Sequence, residues 1–188
     1  NATVSGIAFS LKKHCCQKSR LWALGASMLL YYKGLVARAN DIDIVIALEH
    51  VERAETVLEM LGVKQPPNLN RDYATRYFAE FVIEGIDVDV MAGFRIVAGG
   101  TTTEYVPDQK TFETFVLQDT TIHLCPLEDW YVLYLLMPHR EGRVATIKEY
   151  FLENGANLTY LKAWVDRCLP KAVSDQIHEL LFELNPRP

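Results

Sequence analysis

The sequence predicts an α+β fold, and three observations carry that prediction. Two segments, residues 40–50 and 84–93, alternate apolar and acidic side chains with period two, the mark of β-strands. Further short apolar runs between Leu21 and Leu124 read as strands interleaved with a few helices. From Pro126 onward the texture turns helical. The chain therefore divides into a mixed α/β domain, residues 1–125, and a C-terminal helical subdomain, residues 126–188.

Taken in order, residues 5–17 read as a helix with Ile7, Leu11 and His14 on one side. Residues 21–24 form a short apolar strand that runs into Gly25-Ala26-Ser27. Residues 28–33 are helical and stop at Gly34, a residue suited to end a helix. After the strand of residues 40–50 comes an amphipathic helix over 51–61. Val51, Ala54, Leu58 and Leu61 share its inner face, and Gly62 closes it. Residues 64–70, with Pro66-Pro67, read as a loop. Residues 77–83 and 86–91 are strands joined at Glu84-Gly85, a hairpin signal. Residues 94–98, 112–117 and 121–124 add further strands. Pro126-Leu127-Glu128-Asp129 opens a helix rich in Leu, Tyr and Trp that Pro138 ends. Three more helices follow at 143–154, 158–168 and 172–184.

The composition is that of a soluble globular chain: 49% hydrophobic and 23% charged over 188 residues, enough for one sizeable core. The net charge of -5 argues against a general affinity for nucleic-acid phosphates, so nucleic acid is not an expected partner. Cys15, Cys16, Cys125 and Cys168 form no CxxC pair and read as reduced thiols. No apolar stretch is long enough to span a bilayer, and the N-terminal residues lack a signal-peptide pattern. A cytoplasmic setting is expected.

Chemistry enters with the acidic residues. In residues 40–46, Ile42, Ile44 and Ile46 take one strand face, which leaves Asp41 and Asp43 about 7 Å apart on the other. Like charges so placed repel, and Asp is a poor strand former. In residues 84–93, Ile86, Val88 and Val90 face the core while Asp87 and Asp89 project from the opposite side. If the two strands are neighbours, three or four carboxylates meet at one spot. A divalent cation resolves that repulsion, and a small set of hard oxygen ligands suits Mg²⁺. Upstream, Gly25-Ala26-Ser27 is a small-residue turn between strand and helix, where backbone N–H groups can approach an anion. A phosphate cradle beside a carboxylate cluster suggests a nucleoside triphosphate with bound metal. No P-loop motif is present.

At Gly25-Ala26-Ser27, Asp41-Ile42-Asp43 and Asp89 the chain resembles the nucleotidyltransferase superfamily with the DNA polymerase beta-like fold. That family's pattern is a hydrophobic residue, Gly and Gly or Ser, then Asp-x-Asp on a strand, then a third Asp on a later strand. Residues 22–46 are similar to aminoglycoside, lincosamide and minimal nucleotidyltransferases. Ala26 stands where the pattern has Gly or Ser, and Ser27 follows one place later. The resemblance, which covers roughly residues 21–134, implies a mixed β-sheet with flanking helices; the C-terminal helical subdomain follows it. It implies transfer of a nucleoside monophosphate from an NTP to a hydroxyl of a small molecule or protein, with release of pyrophosphate. Asp41 and Asp43 would hold the metal that bridges the triphosphate. Asp89 would join them around a second Mg²⁺ and help orient or deprotonate the acceptor, with Asp87 as the reserve third carboxylate. Gly25, Ala26 and Ser27 would face the nucleotide. A homodimer or a toxin–antitoxin partner is compatible with this reading. Its rivals are a non-catalytic, antitoxin-like binding module of the same fold and a Mg²⁺-dependent phosphohydrolase.

The remaining polar residues have plainer readings. The five histidines show no ligand spacing. Lys33, Arg38, Arg71, Arg76 and Arg95 read as solvated surface, and Trp130, Tyr131 and Tyr134 as helix core.

Overall fold

The computed structural model describes residues 2–15, 22–67 and 74–185. Cys16, Gln17, Leu21, Asn70 and Arg71 lie outside the described residues, as do the side chains of His14 and Cys15. The chain forms two compact units, Asn1–Phe94 with Tyr105–Cys125, and Arg95–Glu104 with Pro126–Pro188.

The first unit runs α1 (Ala2–Cys15), β1 (Trp22–Leu24), α2 (Ala26–Tyr32), β2 (Ile42–Ile46), a 3-10 turn at Leu48–His50, α3 (Val51–Glu59), β3 (Val63–Lys64), β4 (Tyr77–Ile83) and β5 (Ile86–Ala92). Strands β6 (Phe94–Ala98) and β7 (Thr101–Tyr105) then make a separate two-stranded ribbon, before β8 (Glu113–Leu117) and β9 (Thr120–Leu124). The main sheet has seven strands in the order β3-β4-β5-β2-β1-β9-β8. It is mixed: β2–β5 and β1–β9 pair in parallel, and its other pairings are antiparallel.

Strand β2 lies inside this sheet, and every one of its residues is buried. Ile42, Ile44 and Ile46 fill one face, each contributing about 1.5–3 kcal/mol by leaving water. The alternation expected of a strand with one solvated face is present, but Val45 and Asp43 are covered too. Helix α2 packs against β2 and supplies Met28, Leu29 and Leu30 to the core. It stops one residue before Lys33, and Gly34, at φ +74°, donates its N–H to the Tyr31 carbonyl at 3.0 Å. That left-handed backbone is what a helix-ending glycine provides.

Three departures from expectation have physical reasons. Helix α3 buries Val57 with Ala54 and Leu58, while Val51 at its start and Leu61, just past its end, are only half-buried. Gly62 is needed for a close approach: a Cβ there would lie 2.3 Å from the Val82 carbonyl oxygen on β4. That approach comes with the edge pairing of β3, a two-residue strand where a loop was expected. Strand β7 was also missed, and it follows Gly99-Gly100, both at positive φ, which turn the ribbon back after β6.

In the second unit the helices are α4 (Leu127–Leu136), α5 (Glu141–Asn154), α6 (Leu158–Val165) and α7 (Lys171–Leu184). Pro126 precedes α4, where its missing N–H is harmless. Trp130, Tyr131, Leu133 and Tyr134 of α4 are all buried, so this helix is the bundle's core element. Its first-turn carboxylates tie down α6. Asp129 accepts from the Trp164 indole at 2.7 Å, and Glu128 accepts from the Asn157 N–H at 2.6 Å. The Asn157 side chain in turn caps α6 by accepting from the N–H groups of Thr159 and Tyr160. Among the described residues, no helix is long and apolar enough to cross a membrane.

Candidate functional site

The cluster begins with strand register. Parallel β2 and β5 set Asp43 directly opposite Asp89. Asp41, just before β2, is brought to the same spot by the turn between β1 and α2. There the Gly25 N–H donates to the Asp43 carbonyl at 3.0 Å, and the Ser27 hydroxyl donates to Asp41 Oδ1 at 2.8 Å. As a result Asp41, Asp43 and Asp89 each present a carboxylate oxygen within 4.8 Å of the others. Asp87, one pleat away on β5, is exposed and stands outside this trio.

The electrostatics are severe. Two full charges at such a separation repel by roughly 3 kcal/mol even at an effective dielectric constant of about 20. Three such pairs rival the entire stability of a domain, about 5–15 kcal/mol. Burial and this repulsion both favour the protonated form of a carboxyl. Asp43 is 7% exposed, and burial raises its carboxyl well above the usual carboxylate range, helped by the charges of Asp41 and Asp89. The Ser27 backbone N–H, hydrogen-bonded to Asp43, opposes that rise. Burial likewise lifts Asp89, which Asp41, Glu80 and Asp87 then push up to about 7.

Asp41 and Asp89 border an open cleft of about 440 Å³ whose walls also include Gln65, Glu80 and Asp87. Sequence reasoning missed Glu80 and Gln65. Glu80 was within reach of it, because the tight turn at Glu84-Gly85, with φ values of 53° and 76°, fixes the β4–β5 register. Counting back from Ile83 opposite Ile86 puts Glu80 opposite Asp89. Gln65 had no such signal. It is held by its N–H donating to the Glu80 carbonyl at 2.7 Å.

Gly25 is extended, with φ -121° and ψ -161°, and Ala26 carries a left-handed φ of 38°. An L-residue at such a φ is strained by roughly 1–2 kcal/mol, which is why glycine is the usual occupant. Of the basic residues, Lys33 pairs with Glu113 at 2.6 Å and Arg95 with Glu104 at 2.7 Å.

The donor set fits a divalent cation. All the ligand atoms are hard carboxylate oxygens, they converge, and they are mutually repulsive without a positive charge between them. With two or three protein ligands, the rest of such a cation's shell is left for water or other oxygen donors.

The chain has an α+β fold of the nucleotidyltransferase type, with a carboxylate trio gathered where β2 and β5 pair. No family model matches the sequence, and no curated protein matches it. Solved structures do. TM1012 of Thermotoga maritima, provisionally described as a nucleotidyltransferase, superposes with a TM-score of 0.57 at 22% identity. The match covers 79% of this chain and 90% of that one. ANT(2'')-Ia, solved in complex with adenylyl-2''-tobramycin, superposes with a TM-score of 0.54 over 98% of both chains, at 12% identity. At these identities the likeness is one of fold.

Proposed function

We propose that the protein is a divalent-cation-dependent nucleotidyltransferase acting in the cytoplasm. It would move a nucleoside monophosphate from an NTP to a hydroxyl of a small molecule or a protein side chain. The observation that carries this reading is the convergence of Asp41, Asp43 and Asp89 within 4.8 Å. It occurs in a fold shared with ANT(2'')-Ia, whose structure was solved in complex with adenylyl-2''-tobramycin. The net charge of -5 supports an acceptor other than a nucleic acid.

Asp41 and Asp43 are the ligands proposed for the cation that meets the triphosphate, with Asp89 completing the set; the identity Mg²⁺, and a count of two ions, follow from the same reading. When bound, the cation supplies charge neutralisation for the triphosphate and the leaving pyrophosphate. The chain's own part is to position and to move a proton. The backbone of Gly25 and Ala26 would border the triphosphate. Asp89, facing the cleft, is the carboxylate that would orient the acceptor's hydroxyl and take its proton. The acceptor oxygen then bonds to the α-phosphorus, and the bond from that phosphorus to the pyrophosphate oxygen breaks.

Calorimetric titration of ATP and GTP, with and without Mg²⁺, tests the site. The wild type should bind a nucleotide only with the cation, and the Asp41→Asn/Asp43→Asn double variant should lose that binding. Unchanged cation-dependent affinity in the double variant would remove these residues from the site.

A further inference from the structure

The turn before α2 reads in sequence as a phosphate cradle, with Ser27 as a contact. Its hydrogen bonds show a different employment. A serine hydroxyl has one proton to donate and two lone pairs. At Ser27 the proton is directed to Asp41, whose Oδ1 lies at 2.8 Å and whose carbonyl oxygen lies at 3.2 Å. One lone pair accepts the Asn40 N–H at 3.3 Å. The residue is 6% exposed, so it is set into the protein behind the carboxylates rather than standing free in the cleft. A phosphate oxygen is an acceptor, and the hydroxyl could serve one only by releasing Asp41.

Asp41 needs such a partner. It is half-buried, borders the open cleft and faces the carboxylates of Asp43 and Asp89. When those two are ionised, as cation binding requires, their repulsion would favour side-chain rotamers that swing it out into the cleft. A donor on the protein side opposes that swing. Asp41 precedes β2, so sheet pairing does not fix it as it fixes Asp43 and Asp89.

We propose that Ser27 is a positioning residue of the cation site: its hydroxyl holds Asp41 turned towards Asp43 and Asp89, and it does not bind the nucleotide's phosphates. This rests on the cation-binding reading of the trio. Carboxylate ligands in metal sites are commonly oriented by such hydrogen bonds, whose removal typically lowers metal affinity about 10–100-fold.

The test uses the full chain and Mn²⁺ alone, with free Mn²⁺ read by electron paramagnetic resonance and folding monitored by thermal melting. Ser27→Ala should weaken Mn²⁺ binding about tenfold. Ser27→Thr, which keeps the hydroxyl, should retain most of the affinity, and Ser27→Cys, a weak donor, should fall between. In a double-mutant cycle Ser27→Ala should add little to Asp41→Asn, because the two residues act as one unit. The second arm measures a non-hydrolysable α,β-methylene ATP at saturating Mn²⁺, where Ser27→Ala should bind as wild type does. Wild-type Mn²⁺ affinity in Ser27→Ala, together with a loss of ATP-analogue affinity, would overturn the proposal and make Ser27 a phosphate contact. Equal Mn²⁺ binding by wild type and Asp41→Asn would instead overturn the cation site itself, and the positioning role with it.

Discussion

Replacing Asp89 by asparagine should stabilise the cation-free protein, and by an amount that depends on pH. An ordinary aspartate titrates near 3.8, whereas Asp89 in the folded chain is lifted to about 7. Below pH 4 the group is protonated in folded and unfolded chains alike and contributes no difference. Between 4 and 7 the folded chain holds a proton that the unfolded chain has released, so stability falls as pH rises. Above 7 the full penalty is present. The displacement corresponds to at most about 4 kcal/mol, and water around a partly exposed carboxylate reduces the expectation to about 2 kcal/mol. For a chain of this size that is a gain of roughly 4–8 °C in Tm for Asp89→Asn at pH 8. The gain should shrink to a small fraction of this at pH 4.5. Differential scanning calorimetry of both proteins from pH 4.5 to 8, in chelator, measures it. Mg²⁺ should narrow the gap: at ten times its Kd it stabilises the wild type by about 1.4 kcal/mol and helps the variant less. An Asp89→Asn protein less stable than wild type at pH 8 without cation would refute the electrostatic account of the trio.

Other perturbations probe the site and the fold separately. Asp87→Asn should leave Mg²⁺-dependent nucleotide binding within about twofold of wild type by calorimetry, since Asp87 is exposed and outside the trio. Asn157→Ala should lower stability by about 1 kcal/mol in urea denaturation, because it leaves the first N–H groups of α6 uncapped. Asp119→Gly should raise stability by about 0.5–1 kcal/mol in the same assay. Gln118 and Asp119 turn β8 into β9 with φ values of 47° and 62°, which glycine adopts without strain.

How much of this was legible in the sequence depended on whether the determining interaction was local. The Glu84-Gly85 turn is local, and with it came β4, β5 and the side of the sheet on which Asp87 and Asp89 stand. The choice between those two aspartates was not settled by alternation, since both share a face. The parallel pairing that brings Asp43 opposite Asp89 joins strands more than forty residues apart, and no local pattern encodes it. The burial of both faces of β2 was hidden for the same reason: α2 covers it, and a covered aspartate reads in sequence like a solvated one. Ala26 shows a different limit, for nothing about an alanine announces a φ of 38°. The turn adopts it because Gly25 and Ser27 are both bonded to the Asp41–Asp43 segment.

The account stands most directly on the fate of the α-phosphate. The protein would be incubated with Mg²⁺, a library of hydroxyl-bearing small molecules and proteins, and NTPs labelled at either the α- or the γ-phosphate. The account predicts that α-label moves to an acceptor and γ-label appears as pyrophosphate. Both signals should vanish in chelator and in Asp41→Asn/Asp43→Asn. Release of γ-label as inorganic phosphate, with no α-label on any acceptor, would contradict it and make the protein a phosphohydrolase.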